Sequence, residues 1–157
     1  DFKDSNALAE SVIDLFNRKK EIIREVANVV RKMHDIGIYH GDLHLKNILL
    51  KRDDGGNFCA YIIDMDKSVL HNNMDIKKRM KNLYRLDRSV EKLAVKLKNC
   101  YVPESCNFPV SRIDRVRFFR EYMEKGQNEF GDWKRIIRSG FSGYKFHKLC
   151  WHLLNNQ

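Results

Sequence analysis

The sequence predicts an α+β domain that is mainly helical, with one small β-hairpin set between its helices. Apolar residues recur at three- and four-residue steps over most of the chain, the period of an amphipathic helix. Two short apolar runs instead flank an Asp-Asp-Gly-Gly turn, the signature of a hairpin. No internal repeat or low-complexity stretch intervenes, and 157 residues suit one domain able to bury a real core. Apolar residues make up 43% and charged residues 32%, as in ordinary globular domains.

The first element is a helix from Ser5 to about Asp35. Leu8, Val12, Leu15, Ile22, Val26, Val29, Val30 and Met33 form its apolar face and Gly37 stops it. The polar run Asn17 to Glu21 divides it into two helices in this reading. Ile38-Tyr39 and a polar stretch come next. The hairpin follows, with strands Ile48–Leu50 and Phe58–Ile63 about the turn Asp53-Asp-Gly-Gly56. From about Asp75 to Asn99 a long basic helix carries Leu83, Leu86, Val90, Leu93 and Leu97 on one face. Residues Val102 to Pro109 form a loop holding both prolines. Ser111 and Asp114 then give an N-cap and an acidic first turn to a helix ending near Gly126. A last helical region runs from Asp132 to Leu154, broken around Gly140 to Gly143, with Trp133, Phe141, Tyr144 and Trp151 read as core aromatics.

Thirty Lys and Arg against 21 Asp and Glu leave a net charge of +9, which favours anionic partners such as nucleic acid, phosphorylated lipid or a membrane leaflet. The basic residues are spread over many helices without a nucleic-acid motif, so no nucleic-acid partner is expected. No run approaches the roughly 18 to 20 apolar residues of a membrane span. The four cysteines (Cys59, Cys100, Cys106, Cys150) show no C-x-x-C pair or zinc-ligand spacing, and are read as reduced cytoplasmic thiols. The chain begins at Asp1 and has no secretory signal, as expected of an excerpt from a longer protein.

The chemistry lies in His40-Gly-Asp-Leu-His-Leu-Lys-Asn47 and Ile62-Ile-Asp-Met-Asp66. The first has the form H-x-D-L-x-x-x-N; the second is a strand ending in aspartate. Phosphoryl transfer needs a carboxylate beside the attacking hydroxyl, and hard oxygen ligands to hold magnesium against the ATP phosphates. A hairpin brings Asn47, before its first strand, close to Asp64, at the end of its second. Asp42 is therefore assigned to orient or deprotonate the acceptor hydroxyl, with His44 beside it in the catalytic set. Asn47 and Asp64 are assigned to magnesium and ATP. His40, Asp42 and His44 alternate on an extended segment and could be taken for a zinc cluster, but the Asn47 and Asp64 context favours magnesium.

These residues resemble the catalytic loop and metal-binding aspartate of the protein-kinase-like fold. Gly41 and His44 replace the Arg and Lys usual in protein kinases, and His-Gly-Asp-Leu-His is similar to the loop of small-molecule kinases. A narrower resemblance is to the lipopolysaccharide kinases that act on Kdo or heptose. It rests on Tyr39-His-Gly-Asp-Leu43, Ile63-Asp-Met-Asp66 and Asn82-Leu-Tyr-Arg-Leu-Asp-Arg-Ser89. Met65 stands where an aromatic is usual, and Lys67-Ser68 where Arg-Gly is common.

The resemblance implies that residues 1–157 are the C-terminal lobe of such a kinase, with the N-terminal ATP-clamping lobe absent from this chain. The implied activity is ATP- and Mg2+-dependent phosphorylation of a sugar hydroxyl on an anionic glycolipid, at the cytoplasmic face of the bacterial inner membrane with peripheral membrane contact. The chain alone is expected to be weak or inactive. The resemblance gives His40 a structural role, bonding the loop backbone. Lys46 and Asp66 are accessory, and Asp66 assists the metal, binds a basic residue or closes a turn. Arg85 and Arg88, three apart on one helix face, contact the anionic sugar or buttress the catalytic loop, with buttressing favoured. The alternatives are a kinase for a soluble small molecule or a protein, and an inactive kinase-like lobe serving as a binding module. Oligomeric state is left open.

Overall fold

The computed structural model describes residues 2–99 and 110–124. Helix α1 (Phe2–Asp35) leads into strand β1 (Ile38–Tyr39) and a 3-10 turn (Leu45–Asn47). Strands β2 (Ile48–Arg52) and β3 (Phe58–Ile62) follow, then β4 (Val69–Leu70), α2 (Ile76–Asn99) and α3 (Arg112–Glu124). The architecture is α+β and predominantly helical, with two small antiparallel sheets.

Helix α1 is continuous, which corrects the expected break at Asn17 to Glu21. No Gly or Pro occurs there, and the polar residues serve tertiary contacts. Lys19 makes a salt bridge of 2.5 Å to Asp114 of α3, and Glu21 accepts a hydrogen bond from the Phe58 amide of β3 (2.9 Å). The helix stops at Gly37, whose φ of +86° a residue with a side chain rarely adopts. A Cβ at Gly37 would also lie 2.1 Å from the His71 carbonyl oxygen, where β4 leaves its pairing with β1. That pairing (Ile38 with Leu70, Tyr39 with Val69) is too short for the sequence pattern to announce.

The expected hairpin is present, with its strands extended to Arg52 on one side. Asp53 accepts the Asn57 amide at its side chain (2.8 Å), while Gly56 takes a φ of +81° in the turn. Ser111 and Asp114 cap α3 reciprocally: the Asp114 amide donates to Ser111 Oγ (3.1 Å) and the Ser111 amide to Asp114 Oδ2 (2.8 Å). Burial pushes the Asp114 carboxyl up, but the bonds from Lys19 and Ser111 outweigh it and hold the group below the usual carboxylate range.

The core joins three helices and the loop before the hairpin. Ala27, Val30 and Met33 of α1 meet Met80, Leu83 and Leu86 of α2, Phe119, Tyr122 and Met123 of α3, and Leu43 of the loop. Of the apolar stripe expected on α2, Leu93 is 45% exposed and Leu97 lies outside the described side chains. Polar clamps lock the same helices. Buried Arg31 holds Asp35 through Nε (2.7 Å) and the Tyr122 carbonyl through Nη1 (3.0 Å), and Arg79 of α2 reaches the same Asp35 (2.6 Å). The loop at 102–109, the helical region at 132–154 with its aromatics, and Cys100, Cys106 and Cys150 fall outside the described residues. Cys59 lies half-buried in β3 as a free thiol.

Candidate active site

The loop from His40 to Asn47 is held by buried and half-buried bonds from several elements. His40 is fully buried. Its Nδ1 accepts the Asp42 amide (3.0 Å), so its Nε2 carries the proton donated to the Ile63 carbonyl (3.2 Å). Both ring nitrogens are thus committed to backbone, one to the loop and one to the end of β3, and neither is left for a metal. Asn47 is buried as well. Its Nδ2 donates to the Asp42 carbonyl (3.0 Å), and its own carbonyl accepts the Ile63 amide (3.0 Å).

This last bond places Asp64 next to Asn47. The register Ile48 with Ile62 sets Asn47 opposite Ile63, and the chain turns at the following residue. Asp64 has a φ of 59°, the only positive value at a non-glycine among the described residues. That left-handed geometry costs on the order of 1–3 kcal/mol and is typical of side chains aimed by a site. Asn47, with its amide nitrogen occupied, offers its oxygen, and Asp64 offers an exposed carboxylate. This donor set fits magnesium, which takes one or two protein oxygens and keeps phosphates and water for the rest. Among the described residues no group of three or more His, Cys, Asp or Glu is placed to hold a metal.

Asp42 lines a cleft of about 810 Å³ between the loop and α2. His44, Lys46, Arg85, Arg88, Lys92 and Lys96 line it with Asp42, over an apolar wall that includes Leu43 and Leu93. Asp42 is its only carboxylate among the described residues. Its side chain is about half exposed, and His44 Nε2 lies 3.5 Å from Oδ2, an ion pair when the imidazole is protonated. Asn47, Asp64 and Asp66 are not in this lining. Asp66 is exposed in the turn between β3 and β4.

Helix α2 braces the loop through Arg85, for which the sequence reading favoured a buttressing role, and through Asn82 and Ser89, to which it gave none. Asn82 is fully buried; it accepts the His40 amide (3.2 Å) and donates to the His40 carbonyl (2.7 Å), as a neighbouring strand would. Ser89 Oγ accepts the Leu45 amide (3.0 Å), and Arg85 donates to the Gly41 carbonyl. Arg88 lies over the Tyr84 ring at the edge of the cleft. Gly41 is pressed against the turn after Asp64: a Cβ there would lie 2.1 Å from the Lys67 carbonyl oxygen. The available signal was Asn82, Arg85 and Ser89 recurring at helical spacing beside an apolar stripe, polar residues where a helix turns inward.

The bracing extends inward to two residues that sequence reasoning missed. Because Asn82 Oδ1 accepts, the His34 nitrogen 3.1 Å away is Nε2–H, and His34 Nδ1 accepts the Tyr122 hydroxyl at 2.6 Å. Burial pushes the Tyr122 hydroxyl up to about 12 and lowers His34 from 6.5 to about 4, so both are neutral near pH 7. Folded His34 resists the proton that the unfolded chain accepts below 6.5. Stability is thus intact above about pH 6.5 and falls as pH drops towards 4, by up to roughly 3 kcal/mol from this group. Urea melts of the full-length protein and a His34→Gln variant across that window check this, the variant showing the shallower acid limb. Equal slopes would remove His34 as the cause.

The chain resembles known proteins in sequence and in fold. The model of the lipopolysaccharide kinase (Kdo/WaaP) family matches residues 6–122. A 3-deoxy-D-manno-octulosonic acid kinase of Haemophilus influenzae strain PittEE is 41% identical over 73 residues, 46% of this chain and 29% of that protein. One from Vibrio cholerae serotype O1 is 40% identical over 72 residues, 46% of this chain and 28% of that protein. The matched segment thus spans less than a third of these relatives. A solved structure of WaaP in complex with acyl carrier protein shares the fold, with a TM-score of 0.54 over 78% of this chain and 43% of the other, at 22% identity. With the family pattern matched along three quarters of its length, the chain belongs to the lipopolysaccharide kinase (Kdo/WaaP) family.

Proposed function

We propose that the protein containing this chain transfers the γ-phosphoryl group of ATP to a hydroxyl of Kdo or heptose in the inner core of lipopolysaccharide, and that these residues form its acceptor-side catalytic lobe. One observation carries the reading: the loop that carries Asp42 into a cationic cleft also bonds, at Asn47, to the strand end that bears Asp64. Asp42 orients the acceptor hydroxyl and takes its proton as the oxygen bonds to phosphorus and the bond to the β-phosphate oxygen breaks, leaving ADP. His44 is placed to share that proton with Asp42. Asn47 and Asp64 hold magnesium, which when bound offsets the charge of the phosphates. The cleft cations suit an acceptor carrying acidic groups, and the protein is expected to work from the cytoplasmic side of the inner membrane.

The test is phosphate transfer from γ-labelled Mg-ATP to Kdo-bearing and heptose-bearing lipid A precursors by the full-length protein. Label in one of the two glycolipids, dependent on magnesium, is the expected result and identifies the sugar. No label in either, from protein that melts cooperatively, would overturn the assignment.

A further inference from the structure

The outer face of α2 carries far more positive charge than the cleft uses. At about 100° per residue, Lys77, Lys81, Arg85, Arg88, Lys92 and Lys96 fall with Lys78 in one arc of roughly 100°, spread over about 29 Å of helix. All but half-buried Lys78 are exposed. The helix has only two carboxylates, Asp87 and Glu91, and both turn away from this arc to Arg115 of α3, at 3.2 and 3.6 Å. A basic helix face in plain solvent commonly interleaves acids at four-residue spacing. Here the acids are drawn to the other side and the cations stand together.

The stripe is also longer than the cleft. Arg85, Arg88, Lys92 and Lys96 line the cleft, whereas Lys77 and Lys81 do not. An acceptor seated beside Asp42 would meet only one half of the line. A flat, extended anionic surface would meet all of it, and Leu93 and Val95, 45% and 59% exposed, flank the stripe for shallow apolar contact. We propose that α2 is a docking surface for a bilayer rich in anionic lipid, lying along it so that the cleft mouth and Asp42 face lipid-borne acceptors. The docking is a property of this charge arrangement, and its link to catalysis rests on the phosphotransferase reading above.

The experiment is co-sedimentation of the full-length protein with vesicles of phosphatidylcholine alone, or with about a third phosphatidylglycerol. It is repeated with Lys77→Glu/Lys81→Glu, two exposed positions outside the cleft, and with the milder Lys77→Gln/Lys81→Gln. Binding is expected only to the anionic vesicles, about tenfold or more weaker in the Glu variant, intermediate in the Gln variant, and falling with salt. Turnover of a water-soluble acceptor stays unchanged in both variants, while turnover of a bilayer-embedded acceptor falls. Equal binding to neutral vesicles, variants that bind as well as the parent, or tighter capture by duplex DNA at the same salt would overturn the proposal. Vesicle binding without phosphate transfer to any acceptor would instead count against the phosphotransferase reading and leave the docking surface standing.

Discussion

Replacing Asp42 by alanine is expected to lower turnover by about 10²- to 10⁴-fold, the usual worth of a positioned general base, with little change in the KM for ATP. The expectation depends on how Asp42 is held. Its amide donates to His40 and its carbonyl accepts Asn47, so its structural bonds run through backbone that the substitution keeps. Its carboxylate is half exposed in the cleft and, among the described residues, meets only His44 at 3.5 Å. Removing it should therefore cost little stability and most of the rate. Steady-state kinetics on the full-length protein with the acceptor identified above check this, alongside a thermal melt to show an unchanged fold. A variant that keeps turnover within about tenfold would remove Asp42 from the chemistry and leave it a loop residue. His44→Gln is the companion. If His44 shares the proton, its loss lowers turnover while the thermal melt stays that of the parent, a split that mere loss of packing would not produce.

The parts legible in the sequence were those with strong local signals. The hairpin could be read because two β-rich runs flank a turn whose glycine must take a positive φ. The cap of α3 could be read because Ser111 and Asp114 stand at capping-box spacing. The polar run in α1 misled because it looks like an interruption, when Lys19 and Glu21 are turned to α3 and β3 by packing that no local pattern encodes. The β1–β4 pair was invisible for a related reason: two residues carry no alternation, and their partner lies about thirty residues away.

The candidate site divides in the same way. The loop and the strand-end aspartate formed a readable motif, but motif spacing says nothing of what holds the loop still. That work falls to Asn82, His34 and Tyr122, which come from three helices. A buried histidine at the end of α1 resembles any satisfied core histidine until Asn82 and Tyr122 are seen on its two nitrogens. The basic stripe of α2 was visible as charge; that its only carboxylates are held by Arg115 was not.

Asn82→Ala is expected to be the most damaging single change away from the reacting groups, and the reason is local. The substitution strips the His40 amide and carbonyl and the His34 Nε2–H of their partner at once, in a place with no solvent to replace it. Each orphaned buried group costs about 1–3 kcal/mol, and with some relaxation the sum is roughly 3–5 kcal/mol. The same bonds set the His40 backbone, which sets the Asp42 amide, so turnover should fall even where the protein remains folded. Asn82→Asp separates the two effects. It keeps an oxygen for the His40 amide and for His34, loses the bond to the His40 carbonyl, and places a carboxylate beside His34. That charge favours the imidazolium, so the stability lost between about pH 6.5 and 4 should shrink, whereas in Asn82→Ala it should not. Urea melts across that window, paired with kcat at pH 7.5, make the comparison in the full-length protein. If Asn82→Ala melts within about 1 kcal/mol of the parent and turns over normally, the loop is held by Ser89, Arg85 and Ile63, and Asn82 is only a filler of the helix interface.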